Sequence, residues 1–134
     1  LLCVFCFTQG CTSEDEARTI SEYFKNNSGK AINVKTFIGG VPELSDTIRQ
    51  DELFFICSYT LGIDKPLRSF CHDSVVFIFP NDKGYICGSQ DLSLCFSNDK
   101  IPLGGSAPGF PNVGGDNFVF TITEEDYLNA RDLD

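Results

Sequence analysis

Cysteine is the residue type in this chain whose number and spacing say most about possible chemistry. Seven cysteines occur among its 134 residues: Cys3, Cys6, Cys11, Cys57, Cys71, Cys87 and Cys95. Cys3 and Cys6 form one C-x-x-C pair, but no second such pair follows, and a zinc site usually needs both. Disulfides are the better explanation because exported proteins acquire them in oxidising compartments, and buried free thiols are the alternative. The residues that we predict to form disulfides are Cys11, Cys57, Cys71, Cys87 and Cys95.

His72 is the single histidine, so any Ser-His-Asp catalytic triad or Cys-His catalytic dyad must use it. Its neighbour Cys71 is a poor partner, since adjacent residues in a loop usually point apart. We therefore favour a structural or surface role for His72 and predict no catalytic residue. The Asn and Asp pairs at 81–82, 98–99 and 116–117 lack the spacing of a calcium loop and suit turns. The sequence predicts no metal site and no cofactor.

The apolar run LLCVFCF at the N-terminus has two interpretations. Residues 1–10 resemble the end of a signal peptide with a cut after Gly10, or they form a buried first strand. Residues 11–134 are predicted to form one domain. The cut leaves five cysteines and its absence leaves seven, so in both cases one cysteine is left over, and it is either buried or paired with another chain.

The acidic composition restricts the classes of partner. The formal net charge is −9, with ten basic and nineteen acidic residues. Such a balance repels phosphate backbones and anionic lipid, so we expect neither nucleic acid nor a membrane as a partner.

The stretch after Cys11 carries the signals of an N-terminal helix. Ser13 and Glu16 have the spacing of a capping box, and Ile20 and Phe24 follow at helical spacing. We predict a helix over residues 13–27.

Strands dominate the rest of the predicted chain. They cover 31–38, 53–60, 75–79, 85–87, 92–96 and 118–122, because β-branched and aromatic residues there alternate with turn residues. We expect 53–60 to be a central strand, 42–52 to be a short helix or a loop, and 124–131 to be a helix capped by Thr123 and Asp126. The predicted fold class is α+β, with the N-terminal helix packed on a largely antiparallel five- to six-stranded sheet and a short C-terminal helix.

A long loop rich in glycine and proline is the predicted binding surface. Residues 97–117 contain neither strand nor helix signals, and loops of this length in compact domains are often functional. We choose Phe110, Asn112 and Asp116 as candidate contacts for a partner. For Phe110 the alternative is a plug that holds the loop on the core. Asn26-Asn27-Ser28 is an N-glycosylation sequon, so Asn26 is the predicted glycan site of a secreted chain.

The stretch DSVVFIFPNDKGYICG, preceded by a predicted helix, resembles in outline the small secreted fungal ribonucleases and their non-catalytic effector relatives. That family generally relies on a His or Glu base, an Arg and a second His. With one histidine here, the resemblance transfers no catalytic residue.

These features lead to three hypotheses about function. The first is a small secreted, disulfide-stabilised binding protein, effector- or toxin-like, that uses the loop on a protein or carbohydrate target. The second is a hydrolase of ribonuclease-like fold that uses His72. The third is a subunit of a larger extracellular assembly, held by an interchain disulfide through the odd cysteine.

Overall fold

The computed structural model describes residues 18–61, 71–97, 100–104 and 109–134, which form ten strands and one short helix. The strands are β1 (Arg18–Asn27), β2 (Ile32–Ile38), β3 (Val41–Ile48), β4 (Leu53–Leu61), β5 (Ser74–Ile78), β6 (Lys83–Gly88), β7 (Asp91–Leu94), β8 (Asn112–Gly114), β9 (Asn117–Thr123) and β10 (Arg131–Asp132). Helix α1 spans Glu124–Leu128.

The strands build two sheets. Sheet A has the order β4-β1-β9-β8, and sheet B has the order β10-β6-β5-β2-β3, with β7 paired to β6. Strand β1 runs antiparallel to β4 and parallel to β9, while the other pairs in the described part of the chain are antiparallel. The predicted α+β class is therefore wrong: the described chain is mostly β-structure, and no N-terminal helix packs on a sheet.

The predicted helix over residues 13–27 is replaced by strand β1 from residue 18 onward, while residues 13–17 lie outside the described residues. Ile20 and Phe24, which suggested helical spacing, are also two positions of a period-two pattern, and both are buried. The intervening inward positions are polar, because Glu22 and Asn26 are buried as well. The inward face of β1 therefore mixes apolar and polar residues. The sequence of β1 consequently lacks the alternation of apolar and polar residues that predicts a strand.

Buried Glu22 is stabilised by a partner on the adjacent strand. The hydroxyl of Tyr59 donates a hydrogen bond of 2.7 Å to Glu22 Oε2. Burial and this contact raise the pKa of Tyr59, because both disfavour an ionised phenol. The polar inward position of β1 is thus satisfied, as burial of a carboxylate requires.

Two other predicted elements also need correction. Residues 42–52 were expected to be a short helix or a loop, but strand β3 covers most of them and pairs with β2 through a turn at Gly39 and Gly40, both at positive φ. An edge strand facing solvent needs few apolar residues, so β3 lacked a strand signal. Strand β4 was expected to be central, yet it ends the described order of sheet A.

The two sheets share one hydrophobic core rich in phenylalanine. Phe24 of sheet A packs edge-on against Phe77 of sheet B, with ring centroids 5.0 Å apart. Phe120 of β9 lies within 6.5 Å of Phe77 and 5.1 Å of Phe96. Each sheet therefore has a buried inner face and an outer face toward solvent.

Two disulfides connect the core to its surrounding loops. Cys57 pairs with Cys71, and Cys87 pairs with Cys95, with Cα–Cα distances of 6.0 and 4.7 Å. The prediction is confirmed for these four cysteines, whereas Cys11 and residues 1–10 lie outside the described residues. The capping box at the start of α1 is also confirmed, as Thr123 and Asp126 exchange hydrogen bonds. In the described ranges, no helix has the length and apolarity needed to cross a membrane.

Candidate functional site

Phe110 lies in the core and not on the surface. Its side chain is 1% exposed, and its ring centroid is 5.7 Å from Phe120 and 6.4 Å from Phe24. A buried ring offers no contact area to a partner, so the prediction that Phe110 contacts a partner is wrong. Phe110 instead holds the loop on the core, which was the alternative interpretation. The loop is held on the core at this point.

Lys100 holds the same loop from its other end. Its Nζ donates to Asp126 Oδ2 at 2.6 Å and to the carbonyl of Thr121 at 2.9 Å, and it lies 5.2 Å from the ring centroid of Phe120. Gly109 passes over this side chain with φ at +81°, and a Cβ there would lie 2.1 Å from Lys100 Cβ. Only glycine therefore permits this close approach.

Asn112 and Asp116 lie on the exposed hairpin between β8 and β9. The Asn112 amide closes the turn by donating to the Gly115 carbonyl at 2.9 Å and accepting from the Gly114 N–H at 2.8 Å. Asp116 accepts a hydrogen bond of 2.5 Å from Arg18, and this contact raises the pKa of the guanidinium. Both side chains thus have local roles, and a binding role for them stays a prediction.

Asn26 is a buried structural residue. Its Nδ2 donates to the carbonyls of Lys30, Ile48 and Arg49 at 2.7–3.1 Å, and its Oδ1 accepts from Ser28. A glycan would replace one of the two hydrogens on this nitrogen, so the three contacts could not all persist, and it would have no space, since Asn26 is fully buried. The geometry therefore contradicts a glycan at Asn26 in the folded chain.

His72 is also buried, and it supports the docked loop. Its Nε2 lies 2.7 Å from the carbonyl of Pro102, so this nitrogen carries the proton, and Nδ1 has no hydrogen-bond partner. Burial lowers the pKa of His72, although the hydrogen bond to Pro102 and the charges of Glu22 and Asp73 oppose this shift. A neutral, enclosed imidazole of this kind is suited to a structural role. Among the residues that the structure describes, no cluster of three His, Cys, Asp or Glu side chains is arranged to hold a metal ion.

The outer face of sheet A carries exposed apolar side chains, among them Leu53 and Phe55. Strand registers place three rows of side chains there, which we call the A face: Leu53, Lys25 and Thr121; Phe55, Tyr23 and Val119; Ser58, Ser21 and Asn117. Phe55 is 51% exposed, and its ring meets that of Tyr23 edge-on at 5.6 Å. Lys25 is the sole charged residue among these nine.

The outer face of sheet B has a different character. A groove of about 470 Å³, which we call the B groove, crosses strands β2, β3 and β5. Its lining residues are Asn33, Lys35, Ser45, Asp46, Thr47 and Ile78.

Sequence reasoning missed both surfaces because each depends on a misassigned strand. Tyr23 and Phe55 become neighbours only when β1 is a strand, and Ser45 and Thr47 reach Lys35 and Asn33 only when β3 is one. The alternation of Ser21, Tyr23 and Lys25 with buried residues was the available signal.

Comparison with protein-family models, with curated proteins and with solved structures found no match to this chain.

Proposed function

We propose that this chain is a small secreted protein, stabilised by disulfides, that acts in an effector- or toxin-like way by binding a target protein through the A face. The two disulfides support secretion, because such bonds persist in oxidising compartments. The hydrolase alternative gains no support from His72, whose ring is enclosed by the core and by Pro102.

The row of Phe55, Tyr23 and Val119 carries this proposal, with Phe55 exposed and the other two half-buried. Leu53 and Phe55 are 52% and 51% exposed on a regular sheet, where the backbone holds them in fixed positions. Aromatic side chains at the centre of a surface patch are typical of protein interfaces, since they bury large areas with little loss of side-chain entropy.

The charge distribution indicates what the partner offers. The chain carries a net charge of −9, yet none of the nine A-face residues is acidic. Lys25 Nζ donates to the carbonyl of Asp51 at 2.8 Å, which leaves further N–H donors at the edge of the patch. The fitting partner is a protein surface with an apolar centre and neutral or acidic groups around it.

The predicted loop contacts are compatible with this surface. Asn117 lies on the A face, and it directly follows Asp116 of the β8–β9 hairpin. Val113 on that hairpin is 60% exposed. We therefore place Asn112, Val113 and Asp116 at the rim of the binding surface, with Phe55 and Tyr23 at its centre.

Phe55→Ser tests the proposal, with Leu128→Ser as the matched control because Leu128 is 72% exposed on α1. Immobilised wild-type protein would capture extracellular proteins, which are identified by mass spectrometry, purified and bound again in isolation. We expect Phe55→Ser to weaken binding of the purified partner by at least about tenfold, as loss of a central aromatic contact does, and Leu128→Ser to have no effect.

Equal affinity of both variants for the purified partner would refute the A face as the binding surface. Light scattering distinguishes the third hypothesis, a subunit of a larger assembly, from the first. A wild-type dimer that Phe55→Ser converts to a monomer would identify a second copy of the chain as the molecule bound to the A face. A dimer lost only with reductant would instead indicate an interchain disulfide.

A further inference from the structure

We propose that two copies of this chain associate through the outer edge of β4, which pairs antiparallel with the same edge of the second copy. This inference goes beyond the proposed function, because it concerns the edge of sheet A and not its outer face.

Strand β4 ends the described order of sheet A, and its nine residues pair with β1 on one side. In the described ranges, no other strand and no further backbone hydrogen bond lies along its opposite edge. The register gives Ile56 as the extra residue of a bulge, so residues 57–61 are the regular part of this edge. An extended strand is the partner that satisfies a row of edge N–H and C=O groups together.

The other ends of the two described sheets carry features that oppose pairing with another chain. Strand β3 contains Pro42, Glu43 and Asp46, and Asp46 lies opposite core-facing Val34, which places its charge on the inner side of the edge. Strands β7, β8 and β10 have four, three and two residues. Proline, inward charge and shortness are the usual protections of a sheet edge. Strand β4 contains no proline and no charged residue, so it is the edge best suited to pairing.

The sequence of β4 is typical of a central strand, because apolar residues occupy both of its faces. Phe54 packs against the core opposite Phe24, whereas Phe55 lies opposite Tyr23 and is 51% exposed. Pairing of two copies joins two four-stranded sheets into one continuous sheet with β4 at its centre. The dimer thus gives this strand the environment that its composition indicates.

Antiparallel pairing keeps the acidic groups of the two copies apart. Each chain carries a net charge of −9, but β4 itself is neutral. A twofold axis at Tyr59 places Ser58 of one copy beside Thr60 of the other. The two Glu52 carboxylates then lie about 40 Å apart, several times the Debye length of about 8 Å, whereas parallel pairing would bring them together. Because both β4 edges are used, the association stops at two copies.

Sedimentation velocity over about 1–100 µM tests the proposal, since one pair of strands forms a small interface that should dimerise in this range. The double variant Ser58→Lys/Thr60→Lys places like charges beside each other and should weaken dimerisation by at least about tenfold. The control is Ser45→Lys/Thr47→Lys, which makes the same changes at exposed positions of β3 and should dimerise as wild type does.

A charge-swapped variant keeps the test valid if the lysine substitutions disturb folding. Ser58→Glu/Thr60→Glu should also be monomeric alone, and an equimolar mixture of the glutamate and lysine variants should form a mixed dimer. Hydrogen exchange of the wild type should show edge amides of residues 57–61 that are open in the monomer and protected in the dimer.

Phe55→Ser should still dimerise, because Phe55 lies outside the paired segment, so failure of the A face would leave this result intact. The proposal is overturned if the wild type stays monomeric, if the lysine variant dimerises as well as its control, or if the mixture forms no dimer. It is also overturned if the edge amides are already protected in the monomer, if larger assemblies form, or if the dimer survives denaturing electrophoresis without reductant.

Discussion

Residues 100–104 with 109–110, and residues 112–117, belong to one stretch rich in glycine and proline, yet the core holds them in different ways. In the first part, Phe110 is buried among aromatic rings, Lys100 reaches the buried carboxylate of Asp126, and Pro102 accepts from His72. In the second part, the hairpin closes on its own Asn112 side chain and leaves Val113 60% exposed. We call these the docked part and the hairpin part.

The difference shows what composition can and cannot say about a loop. Glycine and proline prevent regular structure, but they do not decide whether a segment lies against the core. That depends on single anchoring side chains, here Phe110 and Lys100. The docked part therefore contributes to stability, and the hairpin part is available for contact.

The largest expected effect is at Phe110. Phe110→Ala should lower the free energy of unfolding by about 3–5 kcal/mol, because it leaves a cavity beside Phe24 and Phe120. Val113→Ala on the hairpin should change it by less than about 0.5 kcal/mol. Urea denaturation of the two variants measures both, and equal effects would remove the distinction between the two parts.

Lys100→Met is expected to have the next largest effect. The substitution leaves the 4%-exposed Asp126 side chain without its cation and should cost about 3 kcal/mol. Lys83→Met is the control, since its pair with Asp132 is exposed and should contribute about 0.5 kcal/mol or less. Thermal or urea unfolding of both variants provides the comparison; a small loss for Lys100→Met would mean that this ion pair does not hold the docked part.

Acidification should weaken the docked part through His72. Its pKa is lowered in the folded chain, so between that value and the ordinary value of about 6.5 the unfolded chain binds more protons. This contribution to stability is complete above about pH 6.5 and is lost as the pH falls toward the folded pKa. His72→Gln should therefore flatten the dependence of the urea midpoint on pH between 7 and 5, and an unchanged slope would assign the dependence to other groups.

The smallest expected effect belongs to the hairpin part. Asn112→Ala removes two local hydrogen bonds at an exposed turn and should cost about 0.5–1 kcal/mol. Hydrogen exchange should show faster exchange at the Gly114 amide, with protection at Phe120 unchanged. Loss of protection throughout β9 would show that the hairpin also holds the sheet.

Local chemistry made part of this fold predictable. The hydroxyl of Thr123 and the carboxylate of Asp126 form the capping box that their spacing indicated, and the β-branched run at 75–79 is largely strand β5. The four disulfide-bonded cysteines were also identifiable, because their number is high for a reduced protein.

The remainder depended on partners that are distant in the sequence. Glu22 and Asn26 occupy inward positions of β1 because Tyr59 and the carbonyl of Ile48 satisfy them, and nothing near them in the sequence indicates this. With β1 and β3 misassigned, neither the A face nor the B groove could be assembled. Phe110 was given a surface role because its neighbours are loop-forming residues.

The parallel pairing of β1 with β9 sets the order in which this chain can fold. Ser21 lies opposite Asn117, so sheet A needs residues from both ends of the described chain, whereas β5 and β6 form a local hairpin. A chain emerging from the ribosome can therefore assemble the middle strands of sheet B early, but it cannot complete sheet A before residue 123 is available. Until then Phe24 lacks its neighbour Phe120, and its ring remains a site for chaperones or for aggregation.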